Sequence, residues 1–155
     1  MDALLTAIAL WLSMNFGLNA TYDHPRIDVV PSIEIVFLRH QAFTAEAQRQ
    51  VLATYINANP PTGRREVVAI YDDRTSRILL PEGWSGRSAA ELSVLVHEMV
   101  HHLQKSAGLR YECPAQREKL AYEAQGKWLE LFGLSLQSEF DIDPFTLKVS
   151  TSCGF

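Results

Sequence analysis

The sequence predicts a compact α+β domain, and three observations carry that expectation. At 155 residues, 47% hydrophobic and 21% charged, the chain can bury one core and is short for two domains. Its apolar residues fall in runs at helical spacing, interspersed with brief β-branched runs. One turn-rich stretch, "EVVAIYDDRTSRILLP" (residues 66–81), reads as an antiparallel hairpin lying just before the best-punctuated helix in the chain.

Residues 3–20, "ALLTAIALWLSMNFGLNA", are apolar enough to be a secretory signal or a core-packing helix. No Lys or Arg precedes them, and Trp11, Asn15 and Gly17 interrupt the run; Leu18-Asn19-Ala20 loosely fits a cleavage site. Both readings stand at this point. The run is short for a membrane span, so none is expected.

"RIDVV" and "IEIVFL" have the β-branched content of two short strands broken at Pro31. "TAEAQRQVLATYIN" (residues 44–57) places Val51, Leu52, Tyr55 and Ile56 at helical spacing behind a candidate cap, Thr44. Asn59-Pro60-Pro61-Thr62-Gly63 then stops it. In the hairpin, Val67–Tyr71 and Arg77–Leu80 are the strands and Asp72–Ser76 the turn.

Ser88-Ala-Ala-Glu91 is a capping box. Leu92, Leu95, Val96, Met99, Val100 and Leu103 follow at helical spacing, and Gly108 supplies the stop. The next helix starts at Pro114 and runs to Gly133. A short connection makes it an antiparallel neighbour. The tail after it holds one strand-like piece, with Asp141 and Asp143 in a solvated turn. Cys113 and Cys153 are either two free thiols, as in a reducing compartment, or a disulfide tying the tail to the start of that helix. Their spacing fits no cysteine metal site.

The net charge of −4 gives no basic footprint for nucleic acid, and Arg64-Arg65 is the one adjacent basic pair. No nucleic-acid partner is expected.

The chemistry concentrates in the capped helix, where three of five histidines occupy six positions. His97-Glu98-Met99-Val100-His101 is H-E-x-x-H, a pattern that about one shuffled sequence in a hundred would contain. Residues four apart on a helix stand one above the other, so both imidazoles can face one ion. Glu98 is placed beside that ion as a general base rather than a ligand. His102 points away from the stripe and is expected to be partly exposed or to support the site from outside. A catalytic zinc needs a third protein ligand and an open position. At about 100° per residue, Glu118 lies at the edge of the next helix's buried arc with Tyr122, Gln125 and Leu129. That arc is expected to comprise Leu120, Ala121, Ala124, Trp128, Leu131 and Phe132. Glu123 and Glu130 fall on the far side. Glu118 is therefore the expected third ligand, with Glu123 the alternative. Tyr122 is a candidate donor to a developing oxyanion or a packed tyrosine, and Trp84 lines a cleft or packs.

The pair of helices resembles the gluzincin group of zinc metallopeptidases, in which H-E-x-x-H on one helix is completed by a Glu on a later one. "EKLAY" (Glu118–Tyr122) looks like the E-x-x-A-D pattern that carries that Glu, but has Tyr122 in place of the Asp. The metzincin extension is absent, with Gln104 at its Gly position and Ala107 at its His. "LSVLVHEMVHHLQ" and "CPAQREKLAY" are also similar to small, uncharacterised bacterial H-E-x-x-H domains. The resemblance implies a zincin-like domain with Zn2+ held by His97, His101 and Glu118. It further implies hydrolysis of a peptide or protein substrate, with a hairpin strand pairing the extended peptide or simply covering the core. The alternative is a zinc-bearing binding or regulatory module without catalysis.

Overall fold

The computed structural model describes residues 1–20, 23–39, 44–47, 49, 50, 53 and 69–154. In chain order its elements are α1 (Asp2–Phe16), β1 (Arg26–Val30), α2 (Ser32–Arg39), β2 (Ile70–Asp72), β3 (Arg77–Pro81), α3 (Ala89–Ser106), α4 (Pro114–Glu130), α5 (Leu136–Phe140) and α6 (Pro144–Ser150). The fold class is α+β, as expected.

Helix α3 is the centre of the molecule. Ser88 Oγ accepts from the Glu91 N–H at 3.1 Å, and Glu91 answers at the Ser88 N–H, completing the capping box. At the other end Gly108 takes φ +65°, and the Leu109 N–H reaches the Gln104 carbonyl at 3.1 Å, a Schellman stop. Every residue from Ser93 to Gln104 is buried. On one side lie α1, through Leu5, Ile8 and Leu12, and the sheet, through Tyr71, Ile78 and Leu80. On the other lies α4, through Ala121 and Ala124. Helix α4 runs antiparallel to α3: Ser93 meets Gln125 near one end, and Gln104 meets Arg117 near the other. Each large aliphatic side chain in this core contributes about 1.5–3 kcal/mol by leaving water.

The sheet has the order β1-β3-β2. The hairpin is antiparallel, pairing Ile70 with Leu79 and Asp72 with Arg77. Its turn is held by Asp72, which accepts from the Arg74 N–H at 3.0 Å and from the Thr75 hydroxyl at 2.6 Å. Strand β1 joins in parallel, Arg26 beside Arg77 and Val30 beside Pro81, so the sheet is mixed rather than wholly antiparallel. The hairpin strand Arg77–Leu80 thus lies in the middle of the sheet, and among the described residues only β2 of the two is at an edge.

That parallel pairing explains a second departure. "IEIVFL" forms helix α2, not a strand. Two parallel strands require a long crossover, and α2 begins it directly after Pro31, packing on β3 and β2 with Ile35 buried. The C-terminal tail is also helical where a strand was expected. Ser135 and Asp143 cap α5 and α6, the Asp143 carboxylate accepting from the N–H groups of Phe145 and Thr146 at 2.8 and 2.9 Å. Helix α4 stops at Glu130, leaving Leu131 and Phe132 exposed rather than in the buried arc, which instead includes Gln125 and Leu129.

Residues 45–47, 49, 50 and 53 are helical, and Thr44 Oγ1 accepts from the Ala47 N–H at 3.3 Å, as expected of its cap. Val51, Leu52, Tyr55, Ile56, the 59–63 stop, Arg64-Arg65 and the first residues of the hairpin lie outside the described residues. Cys113 and Cys153 form a disulfide with Cα atoms 5.9 Å apart, joining the tail to the first turn of α4. Among the described residues, no helix is long and apolar enough to cross a membrane.

Candidate metal centre

Because α3 is buried on all sides, its polar residues must find partners inside the protein. His97 and His101 are one turn apart, their rings edge to face with centroids separated by 5.0 Å. Glu118, in the second turn of α4, is the common partner: one carboxylate oxygen lies 3.0 Å from His97 Nε2 and the other 3.2 Å from His101 Nε2. The three residues form a group whose ligand atoms all lie within 4.8 Å of one another, close enough to share one ion.

The electrostatics follow from this contact. Burial would raise the Glu118 carboxyl, but hydrogen bonds from His101 and His97, with the charge of both rings, hold it far below the usual carboxylate range. Burial would likewise lower the His101 imidazole. The hydrogen bond to Glu118 and the charges of Glu98 and Glu118 outweigh that and hold it above its ordinary value. The cluster keeps its carboxylate ionised, which is the form that binds a cation.

Two residues that the sequence pattern did not single out complete the site. Gln125 places Oε1 3.0 Å from His97 Nδ1, and Gln104 places Oε1 3.1 Å from His101 Nδ1. The nitrogen of each ring that faces away from Glu118 is therefore held by a side-chain amide. The signal was weak but present: Gln104 is three residues after His101, and Gln125 is two turns after Glu118 on the same edge of α4.

Glu98 is buried on α3 next to His97, its charge acts on both His101 and Tyr122, and it is not one of the three members of the group. Tyr122 packs its ring edge-on against His97 at 4.6 Å. Burial first, then the Glu118 charge, raise its hydroxyl above the usual phenol value. Glu123 is exposed and outside the group, because it sits on the solvent side of α4.

His102 is not a member either, yet it is buried rather than partly exposed, because strand β2 covers its side of α3. It bonds the Tyr71 hydroxyl at 3.1 Å and the Asp23 carbonyl at 2.7 Å. His24 pairs with Thr6 at 2.9 Å, away from the site. Trp84 packs against the core and donates to the Glu91 carbonyl at 3.2 Å. Its ring also dictates Gly86, where a Cβ would stand 2.7 Å from Trp84 Cη2.

The family model described as a domain of unknown function, DUF6647, matches residues 1–154, and the chain belongs to that family. No curated protein and no solved structure matches the chain.

Proposed function

We propose that this protein is a zinc-dependent metallopeptidase of zincin-like build. The observation that carries the reading is that His97 Nε2, His101 Nε2 and the Glu118 carboxylate lie close enough to share one ion, with buried Glu98 next to His97 in the chain. Two imidazoles and one carboxylate are the donor set catalytic zinc takes while keeping a position open. Magnesium and calcium prefer all-oxygen sites, so the two nitrogens favour zinc. The amide carbonyls behind both rings add the outer support that metal-ligating histidines usually have.

Zinc held by His97, His101 and Glu118 would supply a Lewis acid for the scissile carbonyl and an acidified water near neutral pH. Glu98 accepts the water proton as the new C–O bond forms, and returns it to the leaving nitrogen as the C–N bond breaks. The Tyr122 hydroxyl, kept protonated by burial, can donate to the developing oxyanion. An extended peptide would pair with the edge strand β2, since β3 is already paired on both sides.

Elemental mass spectrometry should find one zinc per chain in wild type and Glu98→Gln, and a clear loss in Glu118→Ala. In a peptide-hydrolysis screen, Glu98→Gln should lower the rate by about 10²–10⁴-fold. Unchanged hydrolysis in that variant would overturn the mechanism. Bound zinc with no peptide cleaved in wild type would favour a zinc-bearing binding module, and no zinc uptake by wild type would end the enzyme reading.

A further inference from the structure

We infer that Gln104 and Gln125 are positioning residues that hold His101 and His97 as Nδ1–H donors, so that Nε2 is the ring nitrogen each presents to an ion. The use of this arrangement rests on the proposed metal site, while the arrangement itself follows from hydrogen-bond polarity alone.

A glutamine amide has a donor end and an acceptor end, and which end faces a histidine is fixed only by what the other end meets. Here both far ends are decided. Gln104 Nε2 is 3.1 Å from the Arg117 carbonyl oxygen, which can only accept. The NH₂ of Gln104 therefore turns to Arg117, and its Oε1 faces His101 Nδ1. Gln125 Nε2 lies 3.3 Å from Ser93 Oγ, and the Ser93 hydroxyl lies 2.7 Å from the Ala90 carbonyl oxygen. That carbonyl takes the single hydroxyl proton, so Ser93 Oγ accepts from Gln125, and Gln125 Oε1 faces His97 Nδ1.

Both relays thus end on a backbone carbonyl, and both deliver a carbonyl oxygen to the histidine. A carbonyl oxygen cannot donate, so each Nδ1 must carry a proton to make that bond. The Glu118 oxygens that face each Nε2 also only accept, so without an ion both nitrogens of each ring are donors, and an ion displaces only the Nε2 proton. A bare Nδ1 would set two acceptors against each other among groups that are all buried: Ser93, His97, His101, Gln104 and Gln125. An unmade hydrogen bond in such a place carries the full desolvation penalty of its group. The far end of the Gln104 relay is itself fixed, because the Arg117 side chain binds both Asp73 oxygens at 2.5 and 2.8 Å, at the hairpin turn. In the ordinary outer shell a carboxylate often performs this task; two neutral amides perform it here.

The test is long-range ¹H–¹⁵N correlation of the histidine rings in uniformly ¹⁵N-labelled full-length protein, zinc-free and zinc-loaded. Nδ1 of His97 and His101 should be protonated, pyrrole-type nitrogens in both samples. An unprotonated, pyridine-type Nδ1 at either residue in either sample would overturn the inference. As a second measurement, Gln104→Met and Gln125→Met should each weaken zinc binding about 10- to 100-fold in competition with a chromophoric chelator. Unchanged affinity in both folded variants would overturn the positioning role. If a variant does not fold, the wild-type ring spectra still decide. If wild type takes up no zinc, the peptidase proposal fails and the zinc-free spectrum judges this inference by itself.

Discussion

His101 and His102 are neighbours on α3 and equally buried, at 5% and 4% exposure, yet they face opposite regions of the molecule. His101 looks toward α4 and meets Glu118 and Gln104. His102 looks toward the sheet and meets a tyrosine hydroxyl and a backbone carbonyl. Burial pushes both imidazoles downward. At His101 the Glu118 hydrogen bond and nearby carboxylate charges reverse the push. At His102 the Asp23 carbonyl and charge oppose it too weakly, and the ring stays below its ordinary value. What separates the two histidines is therefore their partners, not their depth.

The sharpest way to break this comparison is to make the same substitution on each side. His101→Phe should weaken zinc binding by more than the roughly 10- to 100-fold that outer-shell changes cause, whereas His102→Phe should keep one zinc per chain by elemental mass spectrometry. Zinc loss in both variants would place His102 in the site.

On the α4 side, Cys153→Ser opens a loop of 40 residues, and the chain-entropy relation puts its stabilisation at about 4 kcal/mol. The urea midpoint should fall accordingly, and zinc affinity with it, because Glu118 lies just beyond Cys113. On the sheet side, His102→Phe removes the bonds to the Tyr71 hydroxyl and the Asp23 carbonyl, costing about 1–3 kcal/mol. The sign with pH is definite. A histidine depressed in the folded state contributes stability above its unfolded value of 6.5 that is lost as pH falls below it. The gap between wild type and His102→Phe in urea should therefore narrow from pH 7 to pH 5.

The smallest effect belongs to the helix start that both regions share. Burial opposes ionisation of Glu91, but hydrogen bonds from the Ser85 N–H and hydroxyl and from the Arg87 and Ser88 N–H groups lower its carboxyl to about 2. Glu91→Ala should cost about 1 kcal/mol at pH 7. That contribution is present above the ordinary carboxylate pKa of 4.5 and lost as pH falls through about 2. Denaturation compared at pH 7 and pH 2 checks it.

The parts of the fold legible from sequence were those whose signals are local. Ser88, Glu91 and Gly108 mark the two ends of α3 by backbone chemistry confined to one turn each. The Asp72–Ser76 turn marks the hairpin in the same way. Helix α2 runs against its local signal: its β-branched residues favour a strand, while the demand for a parallel crossover is set by β3, more than 35 residues later by sequence number. The tail holds a strand-like piece by its residue types, yet it folds as α6 because the Asp143 carboxylate caps it, a bond that a turn-like Asp does not announce. In the candidate site, H-E-x-x-H drew attention to the two histidines, and the face of α4 separated Glu118 from Glu123. Gln104 and Gln125 carried no such pattern: a neutral amide becomes informative only once its two ends have named partners. The cysteine pairing was equally silent, since forty residues of intervening chain say nothing about whether two thiols meet.

The Cys113–Cys153 bond encloses the whole of α4, with Glu118, Tyr122 and Gln125, in a covalent ring. The turn after α4 exposes Leu131 and Phe132, a natural point of attack for another protease. A cut there would leave both fragments joined, so a nicked chain would migrate intact on a non-reducing gel and separate only with a thiol. The segment bearing the candidate ligand thereby acquires tolerance to damage wherever disulfides persist: a broken peptide bond need not release it from the histidines it faces.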